Sequence, residues 1–468
     1  MKSVFQLALF LSFFLSASAQ TLSETNTWRY TLVDGAAIMD DCPVCDRLSF
    51  WEGVRGTFDL KGTATPQHYI VTNIHFVSDL TADPKYQISG SGTLDYQTGA
   101  PELTLTLLIA RAGATETVAL TNAVPENSRI FPMIGAQANE NPGSMTRVYR
   151  LRLQAAPFRE LWFSTEASFT MAKGASVSDG DILANTGRVV RTNGALTDRL
   201  ALEEGEIGLD ALDIGPRGEV FFSPTRTVES IVNGTINHGD VVTSEGRVYL
   251  QNRQLLAGFD VDDPEAGLDA FQIVSDEEVY FSVSREVTRS NGAKLKPGDI
   301  LSSQGRIVRS EANLLIRFMN PLVGSVGVDA LYVWPNGEIW FSPQTGFTGT
   351  GGVIVEAGDI LSDQGYIVYR NFDLLAPFAA VEPISDFGLD AMTIVSDAAA
   401  SGAPIQITDI SAGPGGVDLR WEGLARIFQL ERATSVEGPY SPIGGLMLER
   451  ETHDDFTAGN AFYRIRQW

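Results

Sequence analysis

The chain has 468 residues, of which 44% are hydrophobic, and it carries 34 lysines and arginines against 58 aspartates and glutamates, a formal net charge of −24. This apolar content is sufficient for several packed cores, so general disorder is excluded. The negative charge repels phosphate backbones and anionic lipid headgroups, which argues against nucleic acids and membrane surfaces as partners.

Residues 1–19 have the pattern of a secretory signal peptide. Lys2 is followed by an apolar run at residues 4–15 and by Ala-Ser-Ala at residues 17–19, a typical cleavage site. The run is shorter than the roughly 20 residues that a membrane-spanning helix needs, and no later apolar segment is longer. We therefore expect no transmembrane segment, and a secreted or cell-surface protein, with the periplasm as the alternative location.

Cys42 and Cys45 are the two cysteines of the chain. In an exported protein such a close pair favours a local structural disulfide. A thioredoxin-type redox pair and a zinc site are the alternatives. The flanking aspartates disfavour a reactive thiolate, and the nearby sequence offers few further zinc ligands.

Residues 20–156 contain apolar and alternating runs, such as residues 103–109, separated by turn residues. This pattern predicts an independent all-β domain, either a β-sandwich or an open barrel.

Residues 157–396 contain four copies of one repeat. Phe-Ser pairs recur at spacings of 59, 59 and 60 residues, and a Gly-Asp pair and an Asp-Ala pair keep the same register. Periods of this size are typical of propellers, solenoids or arrays. The Phe-Ser pairs end at Ser164, Ser223, Ser282 and Ser342; the Gly-Asp pairs end at Asp181, Asp240, Asp299 and Asp359; the Asp-Ala pairs begin at Asp210, Asp269, Asp329 and Asp390.

Each copy is expected to form a four-stranded sheet. Apolar runs such as Leu161-Trp162-Phe163 do not alternate, which indicates that both faces of the sheet are covered. The first copy has no Asp-Ala strand of its own, and one such strand is left over after the fourth copy. We therefore expect residues 389–395 to pair beside residues 161–164 and close a ring. In the alternative, residues 148–153 fill that place and the array stays open.

Two segments resemble known families. The Asp-Ala pair, the glycine-containing turn and the aromatic-rich strand, over residues 160–396, resemble the repeats of hemopexin-like four-bladed β-propellers. This resemblance implies four blades around a central channel that can hold ions. After a small-residue linker at 397–404, residues 405–468 resemble the fibronectin type III-like module that closes many exported bacterial proteins. The resemblance lies in Leu-Arg-Trp at 419–421, Leu-Glu-Arg-Ala-Thr-Ser at 430–435 and Phe-Tyr-Arg-Ile at 462–465, and it implies attachment or spacing rather than catalysis.

The sequence contains no Gly-x-Ser-x-Gly elbow, His-Glu-x-x-His motif, Walker loop or Rossmann fingerprint. No catalytic or cofactor-binding residue is therefore assigned. The Gly-Asp aspartates recur in all four copies, and we expect them to accept backbone N–H bonds in turns. The four histidines are expected at surface or strand positions. Calcium has weak candidate ligands in the acidic loop of Asp260, Asp262, Asp263 and Glu265, for which a solvated loop without an ion is the alternative.

These features favour an all-β, exported, non-enzymatic binding or adhesion protein. The β-propeller would be the interaction platform for an extracellular protein or glycan. The alternative is an extracellular polysaccharide-active enzyme, a glycoside hydrolase or lyase, with acidic residues in the propeller. Two unique carboxylates that converge with perturbed pKa values would favour the enzyme.

Overall fold

The computed structural model describes residues 27–33, 35–46, 48–78, 85–98, 100–124, 132–140, 147–203, 205–215, 217–261, 266–319, 324–383, 387–397, 404–438, 440–456 and 459–468. The predicted signal peptide and most of the predicted linker lie outside these residues. The predicted all-β class is confirmed, because strands dominate and the helices are single turns. Among the described residues, no helix has the length and apolar character required to cross a membrane.

The N-terminal strands form one antiparallel sheet that closes on itself. Strands β4 to β10 are neighbours in chain order, and β1 pairs with both β4 and β10, so that Tyr30 lies opposite Phe58 on one side and Pro157 on the other. The sequence predicted a sandwich or an open barrel. The structure differs from both, because β1 bridges β4 and β10 and so closes the sheet. The strands are β1 (Thr27–Leu32), β2 (Ala37–Asp41), β3 (Glu52–Gly53), β4 (Arg55–Gly62), β5 (His68–Val77), β6 (Gln87–Asp95), β7 (Glu102–Arg111), β8 (Ala114–Val124), β9 (Ile134–Glu140) and β10 (Val148–Ser164).

Alternation of side chains explains how this sheet encloses a core. In β7, Leu103, Leu105, Leu107 and Ile109 are buried, whereas the residues between them are exposed. One face of a strand therefore lines the interior and the other faces solvent.

Strand β10 belongs to two sheets. Its first part pairs with β1, β2 and β9, and its last part, from Phe158 to Ser164, pairs with a strand near the end of the repeats. The position after residue 156, where the sequence placed a domain boundary, falls inside this continuous strand.

The repeats form four antiparallel sheets of four strands. For each sheet, the strands are given in the order in which they pair, from the innermost to the outermost. Sheet 1 is β33 (Ala391–Ser396), β10, β13 (Ile182–Ala184) and β14 (Arg188–Arg191); sheet 2 is β15 (Leu209–Ile214), β16 (Val220–Pro224), β19 (Val241–Thr243) and β20 (Val248–Leu250); sheet 3 is β21 (Phe271–Ser275), β22 (Glu278–Phe281), β25 (Ile300–Ser302) and β26 (Arg306–Arg309); sheet 4 is β27 (Ala330–Val333), β28 (Ile339–Ser342), β31 (Ile360–Ser362) and β32 (Tyr366–Tyr369).

Short elements connect these strands. Each sheet carries a small hairpin between its second and third strands and a helical turn after its fourth strand. The hairpins are β11 (Phe169–Thr170) with β12 (Ser176–Val177), β17 (Val228–Ser230) with β18 (Gly234–Ile236), β23 (Val287–Thr288) with β24 (Lys294–Leu295), and β29 (Phe347–Thr348) with β30 (Ile354–Val355). The α-helical turns are α1 (Asn193–Thr197), α2 (Asn252–Leu256), α3 (Glu311–Leu314) and α4 (Asn371–Leu375), and 3₁₀ turns lie at Asp198–Leu200, Ala257–Phe259, Thr350–Gly352 and Ala376–Phe378.

The predicted closing pair is confirmed. Leu161 lies opposite Ile394 and Ser164 opposite Ala391, so β33 completes sheet 1 from the far end of the repeats. The innermost strands β33, β15, β21 and β27 contact one another in cyclic order. The four sheets therefore surround a common axis, and we call this arrangement the four-sheet ring.

Apolar cores fill the spaces between neighbouring sheets, which explains why the aromatic runs do not alternate. Trp162 packs in the core shared with sheet 2, whereas Leu161 and Phe163 pack in the core shared with sheet 4. Both faces of each sheet are thus buried, as the sequence predicted.

The C-terminal module consists of two three-stranded sheets packed on Trp421 and Phe428. Its residues Ile427, Leu446 and Trp468 also join the core between sheets 1 and 2, so the module is packed against the ring. One sheet is β34 (Ile405–Gly413), β35 (Gly416–Gly423) and β38 (Glu451–Asp454), and the other is β37 (Ser441–Met447), β36 (Phe428–Ala433) and β39 (Phe462–Gln467).

Candidate metal centre

Four aspartates meet at one end of the ring axis. They begin the Asp-Ala pairs, and each lies within two residues of the start of an innermost strand. Because the four innermost strands start at the same end of the ring, these side chains converge there. We call this group the carboxylate ring, and it consists of Asp210, Asp269, Asp329 and Asp390.

His238 joins the carboxylate ring on one side. Its Nε2 atom lies 2.8 Å from Oδ2 of Asp210. The three potential ligand atoms of Asp210, His238 and Asp269 all lie within 4.8 Å of one another. The Gln344 side-chain amide donates to Oδ2 of Asp269 at 3.4 Å.

Asp329 is the most deeply buried member of the ring. It is 3% exposed, and its Oδ2 atom has no hydrogen-bond partner among the described residues. The exposed Glu166 lies near it and is one of the groups that raise its pKa. A buried polar oxygen without a partner costs about 1–3 kcal/mol, so this atom is a candidate ligand atom for a cation.

Burial and mutual repulsion raise the pKa values of these carboxyls. Burial raises the pKa of Asp269 to about 7, and the charge of Asp210 adds to the effect. For Asp329, burial is again the largest cause, and the charges that act on it, from Asp269, Asp390 and Glu166, are all negative, so its pKa lies well above the usual range. The pKa of Asp390 is raised well above the usual range by the same causes.

On the His238 side, opposite charges act on each other. The hydrogen bond to Asp210 is the largest cause that raises the pKa of His238. Burial raises the pKa of Asp210, and His238 counteracts that rise. On this side of the ring, His238 therefore offsets part of the rise in the pKa of Asp210 and Asp269 that burial causes.

A glycine two residues before each aspartate makes room for the mouth of the ring. A Cβ atom on Gly388 would lie 2.2 Å from Cδ of Glu166, and one on Gly327 would lie 2.7 Å from Oε1 of Gln344. Both glycines also have positive φ angles, +52° and +75°, which other residues rarely adopt. The tetrapeptide Gly-Leu/Val-Asp-Ala is found in all four copies. Its aspartate supplies one carboxylate at the axis, and its glycine leaves space for a neighbouring polar side chain such as Glu166 or Gln344.

This arrangement can hold protons or a hard cation. Four carboxyls this close cannot all ionise without a positive charge among them. Carboxylate oxygens in a cluster are the ligands preferred by Ca²⁺, and Mg²⁺ or Mn²⁺ also take them. Among the described residues, Asp210, His238 and Asp269 bring their ligand atoms close enough to share such an ion, and Asp329 adds a buried, unpartnered oxygen to the same end of the ring.

The Gly-Asp aspartates have the structural role that the sequence predicted. In Asp240, Oδ1 accepts the backbone N–H of Asn252 at 2.8 Å and Oδ2 accepts that of Asn237 at 2.9 Å. Asp299 makes the same pair of bonds, with Glu311 and Lys296. Each of these aspartates therefore connects two segments of its repeat. One is the turn before the third strand, and the other is the first residue of the helical turn that follows the fourth strand.

The predicted calcium loop is described only at its start. Asp260 has a left-handed backbone at φ +52°, and its carbonyl oxygen accepts bonds from the N–H and hydroxyl of Ser290. Asp262, Asp263 and Glu265 lie outside the described residues, so the loop stays a prediction.

The cysteine prediction is confirmed, since Cys42 and Cys45 form a disulfide. The histidines were expected at surface or strand positions, and His238 differs, because its ring is half-buried against Asp210. The Asp-Ala aspartates served as repeat landmarks without a role in the sequence argument. One signal would have found them: a polar residue repeated at the start of every innermost strand of a closed ring must converge on the axis.

A comparison with protein-family models finds no match to this chain, and a comparison with curated proteins finds no significant match either.

Proposed function

We propose that the chain is an exported, non-enzymatic binding protein in which the four-sheet ring is a β-propeller platform and the carboxylate ring holds a divalent cation, best Ca²⁺. The observation that carries this proposal is the meeting of Asp210, Asp269, Asp329 and Asp390 around a buried, unpartnered oxygen.

Symmetry supports a cation rather than a catalytic pair. The converging acids are the repeated ones, one for each sheet, and oxygen donors gathered at an axis suit a spherical ion. A bound ion would also remove the mutual repulsion of these acids and join all four sheets at one point. The platform would then present its outer surface to an extracellular protein or glycan.

Calcium binding is tested with protein treated with a chelator and dialysed. We expect one calcium ion per chain by calorimetry, and a rise in melting temperature that corresponds to about 2.7 kcal/mol when calcium exceeds its Kd 100-fold. Asp329→Asn should abolish both effects, since it removes the most buried ligand.

The matched control is Asp262→Asn in the acidic loop, which should keep wild-type calcium binding. Loss of binding in Asp262→Asn with retention in Asp329→Asn would move the site to the loop and overturn the proposal. Absence of calcium binding to the wild type at neutral pH would also overturn it.

The binding role is tested by screening the purified protein on a glycan array and against a panel of polysaccharide substrates, in calcium and in chelator. We expect calcium-dependent binding without turnover. Polysaccharide cleavage by the wild type would overturn the non-enzymatic assignment.

One observation favours the enzyme as a second candidate. Glu166 is a unique acid, absent from the other copies, and it lies close enough to Asp329 for each carboxyl to influence the pKa of the other. Glycoside hydrolases use two carboxyl groups, one as the acid and the other as the base or nucleophile. In that case Glu166→Gln would abolish the cleavage found in the screen.

A further inference from the structure

The four copies of the repeat differ at the mouth of the ring, because each places a different side chain over its glycine. The position two residues after each Phe-Ser pair holds Glu166, Thr225, Ser284 and Gln344 in turn, and we call these four the mouth residues. A Cβ atom added to the glycine of the same sheet would lie between 2.2 and 2.7 Å from each of these side chains. Glu166 is therefore the one acid among four polar side chains that lie over the carboxylate ring.

Two aspartates of the ring have a partner that offsets their negative charge. The side-chain amide of Gln344 donates to Oδ2 of Asp269, which belongs to the neighbouring copy, at 3.4 Å. Nε2 of His238 lies 2.8 Å from Oδ2 of Asp210. This half of the ring is thus supplied with an amide donor and an imidazole by the protein itself.

Asp329 and Asp390 lack partners of this kind. Besides burial, the groups that most affect the pKa of each of them are other acids. Glu166 acts on both, and within the described part of the chain Oδ2 of Asp329 has no hydrogen-bond partner. Glu166 thus lies beside Asp329 in the way that Gln344 lies beside Asp269, but an ionised carboxylate accepts hydrogen bonds and cannot donate one. Three acids therefore meet on this side of the ring.

The backbone fixes the position of Glu166. Its N–H donates to the carbonyl oxygen of Phe387 at 2.9 Å, next to the pairing of β10 with β33. Gly388 follows Phe387, and the Glu166 side chain lies against it. The side chain is also exposed, so it is accessible to an ion that enters from the mouth.

We propose that Glu166 is a ligand of the cation, and that the ion lies between Glu166, Asp329 and Asp390 rather than beside His238. This inference rests on the proposed calcium site and specifies which half of it the ion occupies. Calcium takes about six to eight oxygen ligands, so an added carboxylate at the mouth suits it. An imidazole nitrogen is a poorer ligand for this hard cation, and His238 would have to give up its contact with Asp210 to bind a metal.

The test is a calorimetric calcium titration of the full chain at neutral pH, with Glu166→Gln beside the wild type. We expect the calcium affinity of the variant to fall at least about tenfold, because the number of charged ligands sets the affinity of calcium sites. In chelator its melting temperature should equal or exceed that of the wild type, because the new amide can donate to Asp329 as Gln344 does to Asp269. A merely structural role of Glu166 would lower the melting temperature instead.

Two further variants make the result specific. His238→Gln should bind calcium more tightly, because it removes a positive group from beside the acids. Glu286→Gln, an exposed acid paired with Lys294, should bind calcium like the wild type.

Two outcomes would overturn the proposal while leaving the calcium site in place. One is wild-type affinity in Glu166→Gln, and the other is loss of calcium binding in His238→Gln with retention in Glu166→Gln, which would place the ion on the histidine side. Absence of calcium binding to the wild type would overturn the calcium site and this inference together, so the two failures are distinguishable.

Discussion

At the scale of single residues, one tetrapeptide creates the main feature of the molecule. Gly-Leu/Val-Asp-Ala occurs once in each copy, and ring closure brings the four aspartates together. In isolation such an aspartate is an ordinary solvated acid. Among its copies it has a raised pKa, because burial disfavours its charged form and the neighbouring acids repel that charge.

This electrostatics predicts a pH-dependent stability in chelator. Folding raises the pKa values of Asp269 and Asp329. Their contribution to the free energy of unfolding is therefore largest below the pKa of the unfolded chain, about 4, and it is lost as the pH rises through the pKa values of the folded protein. We expect the melting temperature in chelator to fall from pH 5 to pH 9, and calcium to suppress that fall. Thermal unfolding across this range checks it.

The double variant Asp269→Asn/Asp329→Asn provides the comparison. It should be more stable than the wild type at pH 8 in chelator and should show a flatter pH profile, because folding no longer has to keep these two buried carboxyls neutral or desolvate their charges. Glu286→Gln, an exposed acid paired with Lys294, should follow the wild type. A double variant less stable than the wild type at pH 8 would contradict this account of the ring.

Residue roles were predictable from the sequence where they are local. The Gly-Asp aspartates bind backbone groups within twelve residues, and turn chemistry predicts that role without a fold. The role of the Asp-Ala aspartates depends on strands about 60 residues apart meeting at one axis.

At the scale of elements, the burial of both strand faces dominates. Trp162 and Phe163 point to different cores, and each joins its sheet to a different neighbour. The sequence showed this through its unbroken apolar runs. It did not show that β10 continues from the closed N-terminal sheet into sheet 1, because Pro157 and the small residues before it are typical of a boundary.

The repeated turn acids make a testable contribution to each element. Asp299→Ala would leave the backbone N–H groups of Glu311 and Lys296 without their acceptor. At about 1–3 kcal/mol for each unsatisfied group, we expect a clear drop in the denaturant midpoint of urea unfolding. Glu286→Ala in the same repeat should change it little, and equal effects of the two variants would argue against the turn role.

At the scale of the whole molecule, the pairing of β10 with β33 joins the first and last parts of the repeats. An open array would leave strand edges unpaired at both ends, with Leu161-Trp162-Phe163 exposed on one of them. Closure covers both edges with one strand and makes the four sheets depend on one another.

Two truncations separate ring closure from the support that the C-terminal module gives. A chain ending at residue 397 keeps β33 and should retain one cooperative unfolding transition at a lower temperature, since it loses Trp468 and its neighbours from the core of sheets 1 and 2. A chain ending at residue 384 also loses β33 and should unfold without cooperativity across the four sheets. Circular dichroism and calorimetry distinguish the two, and cooperative unfolding of the shorter chain would show that closure is dispensable.

The pairing of β10 with β33 also sets an order of events during synthesis. Strand β10 is complete at Ser164, but its partner begins at Ala391, more than two hundred residues later. Until that strand leaves the ribosome, the edge of sheet 1 is unpaired and the axial acids lack Asp390. The ring therefore closes only when most of the chain has been synthesised.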